Sequence, residues 1–477
     1  MIGLGSVSRC TLPLLFDELP VDPSRYTVID FGEVAPDAVR SLRERGAAFQ
    51  TERITPENYQ AVLGARVGPG DLVIDLAWNI DTLAMLDWCR NHGVQFINAS
   101  LEVWDPYEGI GFSHPRDRTL YARHMALRKL IDGWRDNSGP TAVLDHGANP
   151  GLVSHFTKQG LLDIAEAWLN DGVGPQRDAV AEAAADQDFA RLAQALGVAT
   201  IHISERDTQV SSQPKRENEF VNTWSVLGFH EDGIAPAELG WGTHEKTLPP
   251  GAQTHLAGPL NQICIAHPGC RTWVRSWVPC GEIVGMVIRH GEAFSISDRL
   301  TVQTDDGSPS YRPTVHYAYC PADAAIASLH ELHMRRDRLQ DRHRIMDDDI
   351  GEGRDELGCL LMGHHFKSWW VGSLLDIEET RRLAPGQNAT TLQVAASLLA
   401  ATRWMVDHPR EGVLLPDDLP HEPVLDVAKP YLGPFVSRAV DWTPLDNWHD
   451  GFAGYGRPRP LAEDVWQFST FLIRGPE

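Results

Sequence analysis

The sequence predicts an α/β protein, in which a parallel-sheet domain is followed by a larger domain of mixed α+β structure. Three observations lead to this prediction. Short apolar runs alternate with polar helical stretches over the first 150 residues, the texture changes after Asn149, and a strand-rich region with many turns extends from about Ala199 to Tyr319. The 477 residues exceed one ordinary core, so two or three domains are expected.

The first 150 residues resemble successive βαβ units. Short apolar runs predict the end of a strand at Met1–Leu4 and further strands at Tyr26–Asp30, Leu72–Leu76, Val94–Asn98 and Thr141–Asp145. The stretches between them predict helices at Ser8–Leu19, Asp37–Arg45, Ile80–His92 and Tyr121–Trp134. Strands that alternate with helices at this spacing are typical of a parallel sheet.

The remaining sequence predicts a second domain and a C-terminal segment. Alanine- and leucine-rich stretches predict helices at Leu152–Leu169 and Ala179–Leu196. Consecutive strand-like runs indicate an antiparallel or mixed sheet, for example at Thr200–Ile203, Val221–Leu227, Ile283–Arg289 and Ala293–Ser297. Helical or strand–helix character returns at Leu361–Leu374 and Asn388–His408. The predicted division is a first domain of residues 1–150 completed by about 375–410, a substrate-binding and dimerisation domain of residues 151–375, and a C-terminal clasp of residues 411–477.

The charge of the chain indicates what it binds. The formal net charge is −23, which argues against a nucleic-acid partner because phosphate binding needs a basic surface. An acidic cleft would instead concentrate a cationic substrate. Acidity that serves only solubility is the alternative explanation.

The cysteines and the apolar runs indicate the compartment. The seven cysteines are scattered and form no C-x-x-C pair, which is typical of reduced thiols in the cytoplasm. Cys264, Cys270 and Cys280 lie too far apart for the usual paired zinc ligands, so no metal is expected. No run of about 18 apolar residues and no signal-peptide pattern is present, so we expect neither a membrane span nor a leader.

A glycine turn at the start of the chain predicts a dinucleotide site. Gly3 and Gly5 belong to a G-x-G-x-x-S pattern in which the first glycine allows the tight turn and the second lets a pyrophosphate approach the backbone. Ser6 and Val7 would then open a helix whose N-terminus binds that pyrophosphate. Asp30 ends the next predicted strand, where a carboxylate binds the ribose hydroxyls and repels a 2′-phosphate. The pattern therefore predicts a Rossmann-like domain that prefers NAD to NADP.

Only two residues precede the glycine turn. A central parallel strand normally has about five residues. The strand is therefore expected to be truncated, or the natural protein starts further upstream.

Eight segments, taken in order, resemble the homospermidine synthases within the saccharopine-dehydrogenase-like group. The resemblance extends over nearly the whole chain. It depends on the segments MIGLGS, INASLEVWDPY, LDHGANPGLVSHF, HISERDTQ, EFVNTWSVLGF, PAELGWGTHE, VIRHGEAFSISD and DELGCLLMG.

The resemblance implies a redox-neutral reaction on polyamines. Bound NAD would oxidise putrescine to an imine, a second putrescine would displace ammonia, and the NADH just formed would reduce the new imine to homospermidine. Putrescine and related polyamines are the expected partners, and a cytoplasmic homodimer is the expected assembly.

Three residues are candidate catalytic groups. The resemblance implies that Trp224 stacks on the cationic iminium, which an aromatic face can stabilise. It also implies that Glu205 binds an ammonium group or acts as a base. His290 suits proton transfer, and Glu292, two residues along a predicted strand, would share its face and orient it. The alternatives are a core aromatic for Trp224, a surface pair with Arg206 for Glu205, and a structural role for His290.

Further polar residues are candidates for binding substrate. Glu102 and Asn149 each follow a predicted strand, at the sheet edge where ligands collect. Glu231 or Asp232, in a predicted FHEDG turn, would supply a second carboxylate, and the sequence does not distinguish between them. Asp355 matches a family carboxylate, although a solvated helix start is the competing interpretation.

Two other functions stay open. A dehydrogenase of the saccharopine or carboxyspermidine type would need an arginine clamp for a substrate carboxylate, with Arg206, Arg271 and Arg289 as candidates. A non-catalytic NAD-binding sensor is the second alternative. No nucleophile elbow, H-E-x-x-H pair or P-loop is present.

Overall fold

The computed structural model describes residues 1–32, 34–109, 111–171, 176–448 and 458–473. These residues form an α/β structure with one parallel sheet and one larger mixed sheet, so the predicted fold class is confirmed. Of the predicted C-terminal segment, residues 449–457 and 474–477 lie outside the described residues.

The first part of the chain alternates strands and helices, as predicted, and adds one strand (Ala48–Thr51) and one helix (Tyr59–Gly64) that were not predicted. Its strands are β1 (Thr27–Asp30), β2 (Ala48–Thr51), β3 (Leu72–Asp75), β4 (Gln95–Asn98) and β5 (Ala142–Val143). Its helices are α1 (Ser6–Glu18), α2 (Pro36–Glu44), α3 (Tyr59–Gly64), α4 (Thr82–Asn91) and α5 (Leu120–Asp132), with short 3₁₀ turns at Pro23–Arg25 and Pro115–Arg118.

Ile2 takes the place of the central strand in the parallel sheet. It forms parallel bridges to Ile29 of β1 on one side and to Asp75 of β3 on the other. Its amide donates to Ile74 O at 2.8 Å, and its carbonyl accepts from Leu76 N at 3.0 Å. The pair β2–β1 is thereby joined to the run β3–β4–β5, and every pairing is parallel.

The second part of the chain carries most of the strands. Its helices are α6 (Leu152–Asp171), α7 (Arg177–Ala185), α8 (Phe189–Leu196), α9 (Val226–Ile234), α10 (Glu292–Arg299), α11 (Asp323–Met334) and α12 (Ile377–Leu383). Its strands are β6 (Thr200–Asp207), β7 (Val210–Ser211), β8 (Glu219–Asn222), β9 (Pro236–Gly240), β10 (Ala252–Thr254), β11 (Gln262–Pro268), β12 (Trp273–Val278), β13 (Gly281–Met286), β14 (Val302–Gln303), β15 (Pro309–Tyr311), β16 (Thr314–Cys320), β17 (Arg342–Ile345), β18 (Ile350–Glu352), β19 (Arg354–Met362) and β20 (Ser368–Asp376). A 3₁₀ turn covers Gly269–Arg271.

The C-terminal part adds elements to both sheets. These are α13 (Ala389–Asp407), β21 (Val413–Leu414), α14 (His421–Ala428), β22 (Phe435–Val440), α15 (Phe468–Phe471) and β23 (Leu472–Ile473), with 3₁₀ turns at Pro416–Asp418, Lys429–Tyr431 and Ala462–Asp464. Strand β21 pairs with β5 in the parallel sheet, β22 pairs with β20, and β23 pairs with β12 in the mixed sheet. Helix α13 packs against α1.

The mixed sheet places the site residues at its centre. Its main path is β10–β11–β9–β16–β6–β19–β20–β22. Central strand β6 is parallel to β16 and antiparallel to β19, so polar residues from three distant segments lie side by side. In the described part of the chain, no helix is both long enough and apolar enough to span a bilayer.

Several predicted elements of the second part were wrong. Helix α9 replaces both the predicted turn at FHEDG and the end of the predicted strand Val221–Leu227. Strand Ile283–Arg289 ends at Met286, and α10 replaces the predicted strand Ala293–Ser297. The single helix predicted over Ala179–Leu196 is two helices, and Leu361–Leu374 forms parts of two paired strands.

Candidate active site

The glycine turn is built to receive a pyrophosphate. Gly3 has φ +85°, and a Cβ there would lie 3.0 Å from Leu76 O, so only glycine fits. A Cβ at Gly5 would meet no atom within 4 Å, which leaves open space before the N-terminus of α1. Ser8 is buried, which fits a position that sets helix packing. These residues therefore fit a dinucleotide.

Asp30 lies where a ribose-binding carboxylate belongs. It ends β1, and its two oxygens accept hydrogen bonds from Leu4 N at 2.6 Å and Gly32 N at 2.7 Å. The carboxylate is thus fixed against the glycine turn.

A cavity of about 210 Å³ lies at the carboxyl edge of the parallel sheet, between that sheet and the second half of the chain. Val7 at the start of α1 lines it, so the cavity adjoins the dinucleotide turn. Seven of the predicted catalytic and substrate-binding residues also line it: Glu102, Asn149, Glu205, Trp224, Glu231, Asp232 and His290. Residues distant in sequence are therefore brought together around one small space.

Trp224 lines this cavity from the segment between β8 and α9. Its indole Nε1 donates to Tyr319 Oη at 3.0 Å, and its ring stacks on Phe229 with centroids 5.1 Å apart. The ring is half-buried and fixed at its edge and at one face. It is available to a ligand in the cavity, as the stacking prediction requires.

Glu205 belongs to a group of buried acids, Glu205, Asp207 and Asp355, which we call the inner carboxylates. Its carboxylate accepts hydrogen bonds from Tyr317 Oη and from Asn149 Nδ2, the latter at 3.1 Å. Burial raises the pKa of Glu205 to about 8 and also raises the pKa of the other two acids. In the described chain no lysine or arginine pairs with these side chains, and Arg206 pairs with Asp323 instead.

His290 lies in the segment between β13 and α10, and the predicted strand that would align it with Glu292 is wrong. Its ring lies 4.5 Å from the Tyr317 ring and 6.5 Å from the Trp224 ring. Burial lowers the pKa of His290 to about 3. The imidazole is therefore neutral at physiological pH, and it can exchange a proton without carrying a lasting charge.

Glu231 and Asp232, which we call the outer carboxylates, both line the cavity from α9. Arg123 Nη2 lies 2.5 Å from Glu231, and Arg289 contacts Glu231 and also lies 3.0 Å from Asp232. Burial raises the pKa of Asp232 to about 6, whereas Arg289 and Arg123 outweigh burial and lower the pKa of Glu231. Glu231 is thus held ionised.

A second cavity of about 320 Å³ shares Glu102, Arg123, Glu231 and Arg289 with the first. Burial raises the pKa of Glu102 to about 7. One oxygen of Glu102 accepts from Ser100 Oγ at 2.6 Å, and the other is buried without a hydrogen bond in the described chain.

Two predicted residues do not line the cavity. Asp355 lies on strand β19 within the mixed sheet, so the alternative of a solvated helix start is wrong. Thr390, which lines the cavity, donates a hydrogen bond to the Asp355 carboxylate at 2.6 Å. Glu292 is fully buried at the start of α10, and neither of its oxygens has a hydrogen-bond partner among the described residues. Burial raises its pKa well above normal, so it stays protonated.

Sequence reasoning missed several residues of the cavity. Asp145, Trp78, Arg123, Tyr317 and Thr390 all line it. Asp145 stands inside the quoted segment LDHGANPG, at the end of a predicted strand, and that position was the available signal. The others gave no local signal, because distant segments bring them to the cavity.

Two family models match the chain. Residues 1–143 match the saccharopine dehydrogenase NADP binding domain, and residues 147–440 match the saccharopine dehydrogenase C-terminal domain.

Similar proteins match over almost the full length. The chain is 41% identical to a homospermidine synthase of Blastochloris viridis, with 99% of this chain and 97% of the relative covered. It is 39% identical to one of Mesorhizobium japonicum, with 99% and 96% covered. The crystal structure of the homospermidine synthase of Legionella pneumophila in complex with NAD matches with a TM-score of 0.87, 37% identity, and 99% and 97% coverage.

Proposed function

The chain belongs to the homospermidine synthase family, and on that premise we propose that it converts two molecules of putrescine into homospermidine and ammonia, with NAD as cofactor. The composition of the cavity is the observation that carries this proposal. Carboxylates and two indole rings surround a space of about 210 Å³, and both arginines in its wall are already paired with acids. Such a site suits a slender dication.

NAD, when bound, accepts a hydride from the substrate and returns it later. Gly3, Gly5, Ser6, Val7 and Asp30 would hold it. The family model carries NADP in its description, whereas the solved relative contains NAD. Asp30 supports NAD for this chain, and an Asp30→Ala variant should lose discrimination between NAD and NADP in equilibrium binding.

The side chains of the cavity would manage charge and protons. Glu205, with a pKa of about 8, is suited to remove a proton from a substrate ammonium and to return it to the departing ammonia. Trp224 would stabilise the cationic iminium with its free ring face. His290, which is neutral, would accept a hydrogen bond or relay a proton next to both groups.

The inner and outer acids would bind the substrate together with neighbouring residues. Glu102, Asn149, Glu231 and Asp232 line the cavity, and Asp355 would act through Thr390. Glu292 stays a proposed site residue, but it is a buried, protonated group that does not line the cavity. The geometry therefore supports it less than the others.

An enzyme for a carboxylated substrate is less well supported. Arg206 pairs with Asp323, Arg271 with Asp337, and Arg289 with both outer carboxylates. A clamp for a substrate carboxylate would have to break one of these pairs.

The decisive experiment incubates the purified protein with putrescine and NAD and identifies the products by mass spectrometry. Homospermidine and ammonia should form in equal amounts, without net accumulation of NADH. Accumulation of NADH, or the absence of a triamine, would contradict the proposal and favour a simple dehydrogenase or an NAD-binding sensor.

We also propose that the protein is a cytoplasmic homodimer with the three-part domain division given above. All seven cysteines are free thiols, which supports a reducing compartment. Exposed Leu248, Leu256 and Leu260 lie near edge strand β10, which supports a contact there. Light scattering of the protein and of a Leu256→Ser variant tests the assembly.

A further inference from the structure

We propose that Asp145 binds an ammonium group of the polyamine substrate, an inference that rests on the proposed function. Asp145 follows β5 at the carboxyl edge of the parallel sheet and lines the cavity of about 210 Å³. Its side chain is only 5% exposed, so the carboxylate is removed from bulk water.

Asp145 differs from the other acids in the cavity wall because its carboxylate accepts no hydrogen bond from the described residues. Asp75 accepts from Ala77 N at 3.1 Å, Glu102 from Ser100, and Glu205 from Tyr317 and Asn149. The outer carboxylates pair with arginines. His124 Nε2 lies 3.3 Å from Asp145 Oδ2, which is close enough for an ion pair if the imidazole is protonated. A buried carboxylate without a donor is costly, and a substrate ammonium would remove that cost.

The surroundings hold this carboxylate in place. Asp145 has φ +56°, a left-handed conformation that aspartate and asparagine tolerate better than most residues. A Cβ on Gly291, the residue after His290, would lie 2.5 Å from Asp145 Oδ2. His124 behind it is buried and stacks on Phe294 at 4.4 Å. The carboxylate is therefore positioned by backbone shape, by the absence of a side chain at Gly291, and by one fixed imidazole.

Two variants separate charge from shape. Asp145→Asn keeps the size and the tolerated backbone conformation and removes the charge. Gly291→Ala keeps the charge and pushes the carboxylate away, and because Gly291 has φ −60° the alanine itself is not strained. Asp337→Asn is the control, since Asp337 is another left-handed aspartate (φ +61°), paired with Arg271 and outside the cavity lining.

We expect Asp145→Asn to raise the putrescine KM by about 10- to 100-fold, the range for losing a hydrogen bond to a charged group. Turnover at saturating putrescine should fall less, and NAD affinity and the thermal midpoint should stay near those of the parent. Gly291→Ala should shift KM in the same direction, and Asp337→Asn should leave it unchanged.

Calorimetric titration of putrescine into NADH-loaded protein, which cannot take a hydride from putrescine, gives the same comparison without turnover. An absence of homospermidine from the parent would contradict the proposed function, while the calorimetric comparison would still decide the role of Asp145. An Asp145→Asn protein with unchanged putrescine affinity, or with reduced NAD affinity alone, would overturn the proposal.

Discussion

The inner carboxylates, through Glu205, and the outer carboxylates contribute to the same small cavity, yet they differ in their partners. The outer pair, Glu231 and Asp232, contacts Arg123 and Arg289. The inner group accepts hydrogen bonds from five neutral side chains: Tyr317, Asn149, Thr223, Gln209 and Thr390. Arginine neighbours keep Glu231 ionised, whereas burial among neutral groups raises the pKa of Glu205. Glu231 therefore acts as a fixed charge, whereas Glu205 can exchange a proton near neutral pH.

The sharpest test of this comparison is removal of the proton-exchanging acid. Glu205→Gln keeps the hydrogen bonds of the inner group and removes the base, so turnover should fall by about 10²- to 10⁴-fold, the range for general-base catalysis. Stopped assays of homospermidine formation measure this. Glu238→Gln is the matched control. Glu238 is equally buried, burial raises its pKa to about 7, and it accepts from the amides of Leu120 and Tyr121 but does not itself line the cavity. A comparable loss in the control would contradict the special role of Glu205.

Removal of the outer arginine should affect stability instead. Arg289→Met leaves Glu231 and Asp232 buried with one cation fewer, which should lower the free energy of unfolding by about 3–5 kcal/mol. Denaturant unfolding measures the change. Arg271→Met breaks a more exposed pair with Asp337 and should cost less than about 1 kcal/mol. Equal losses of unfolding free energy in the two variants would mean that burial of the outer carboxylates does not determine the cost of removing their arginine.

The two groups should also differ in their response to pH. A carboxyl group with a pKa of about 8 is protonated below that pH and ionised above it, so kcat/KM should rise about tenfold per unit between pH 6 and 8. Glu231 stays ionised over that range because its pKa is lowered, whereas Asp232 (pKa about 6) and Glu102 (pKa about 7) also titrate there. Glu205→Gln should remove the part of the rise that extends up to pH 8. A parent profile that is flat from pH 6 to 8 would show that no inner carboxylate is the base.

The smallest expected effect concerns Trp224, which lines the cavity together with Glu205 and the outer carboxylates. A cation over an indole face gains about 0.5–2 kcal/mol, so Trp224→Ala should reduce turnover by roughly two- to thirtyfold. Trp224→Phe keeps an aromatic face and should retain more activity. Turnover and thermal midpoint are measured on the same variants. A well-folded alanine variant with normal turnover would remove Trp224 from the mechanism.

The first half of the fold was predictable because its signals are local. The predicted strands are short apolar runs, and the glycine turn, α1 and Asp30 follow one another at a fixed spacing. Strand β2, which is mostly exposed, lacks such a run and was not predicted. The central strand was expected to be truncated, and one bridging residue, Ile2, takes its place.

The site was less predictable because its chemistry comes from long-range pairing. Glu205 and Asp207 are charged residues in a buried strand, and no local pattern indicates that Tyr317 and Thr223 satisfy them. The adjacent acids of α9 suggested an exposed turn. The arginines that pair with them lie far away in sequence, so the sequence gives no local sign that these acids are buried. Residues 292–297 of α10 are all buried, so the segment has no polar face and its alternation suggested a strand.

The position of the last elements has a consequence for synthesis on the ribosome. Helix α13 packs against α1, β21 pairs with β5 at one edge of the parallel sheet, and β22 extends the mixed sheet beyond β20. The parallel sheet cannot be completed until residue 414 has been made, nor the mixed sheet until residue 473, although domains usually fold in turn as they emerge. The nascent chain therefore carries an apolar surface on α1 for most of translation. Chaperone contact is expected to concentrate there, and release should coincide with the arrival of α13.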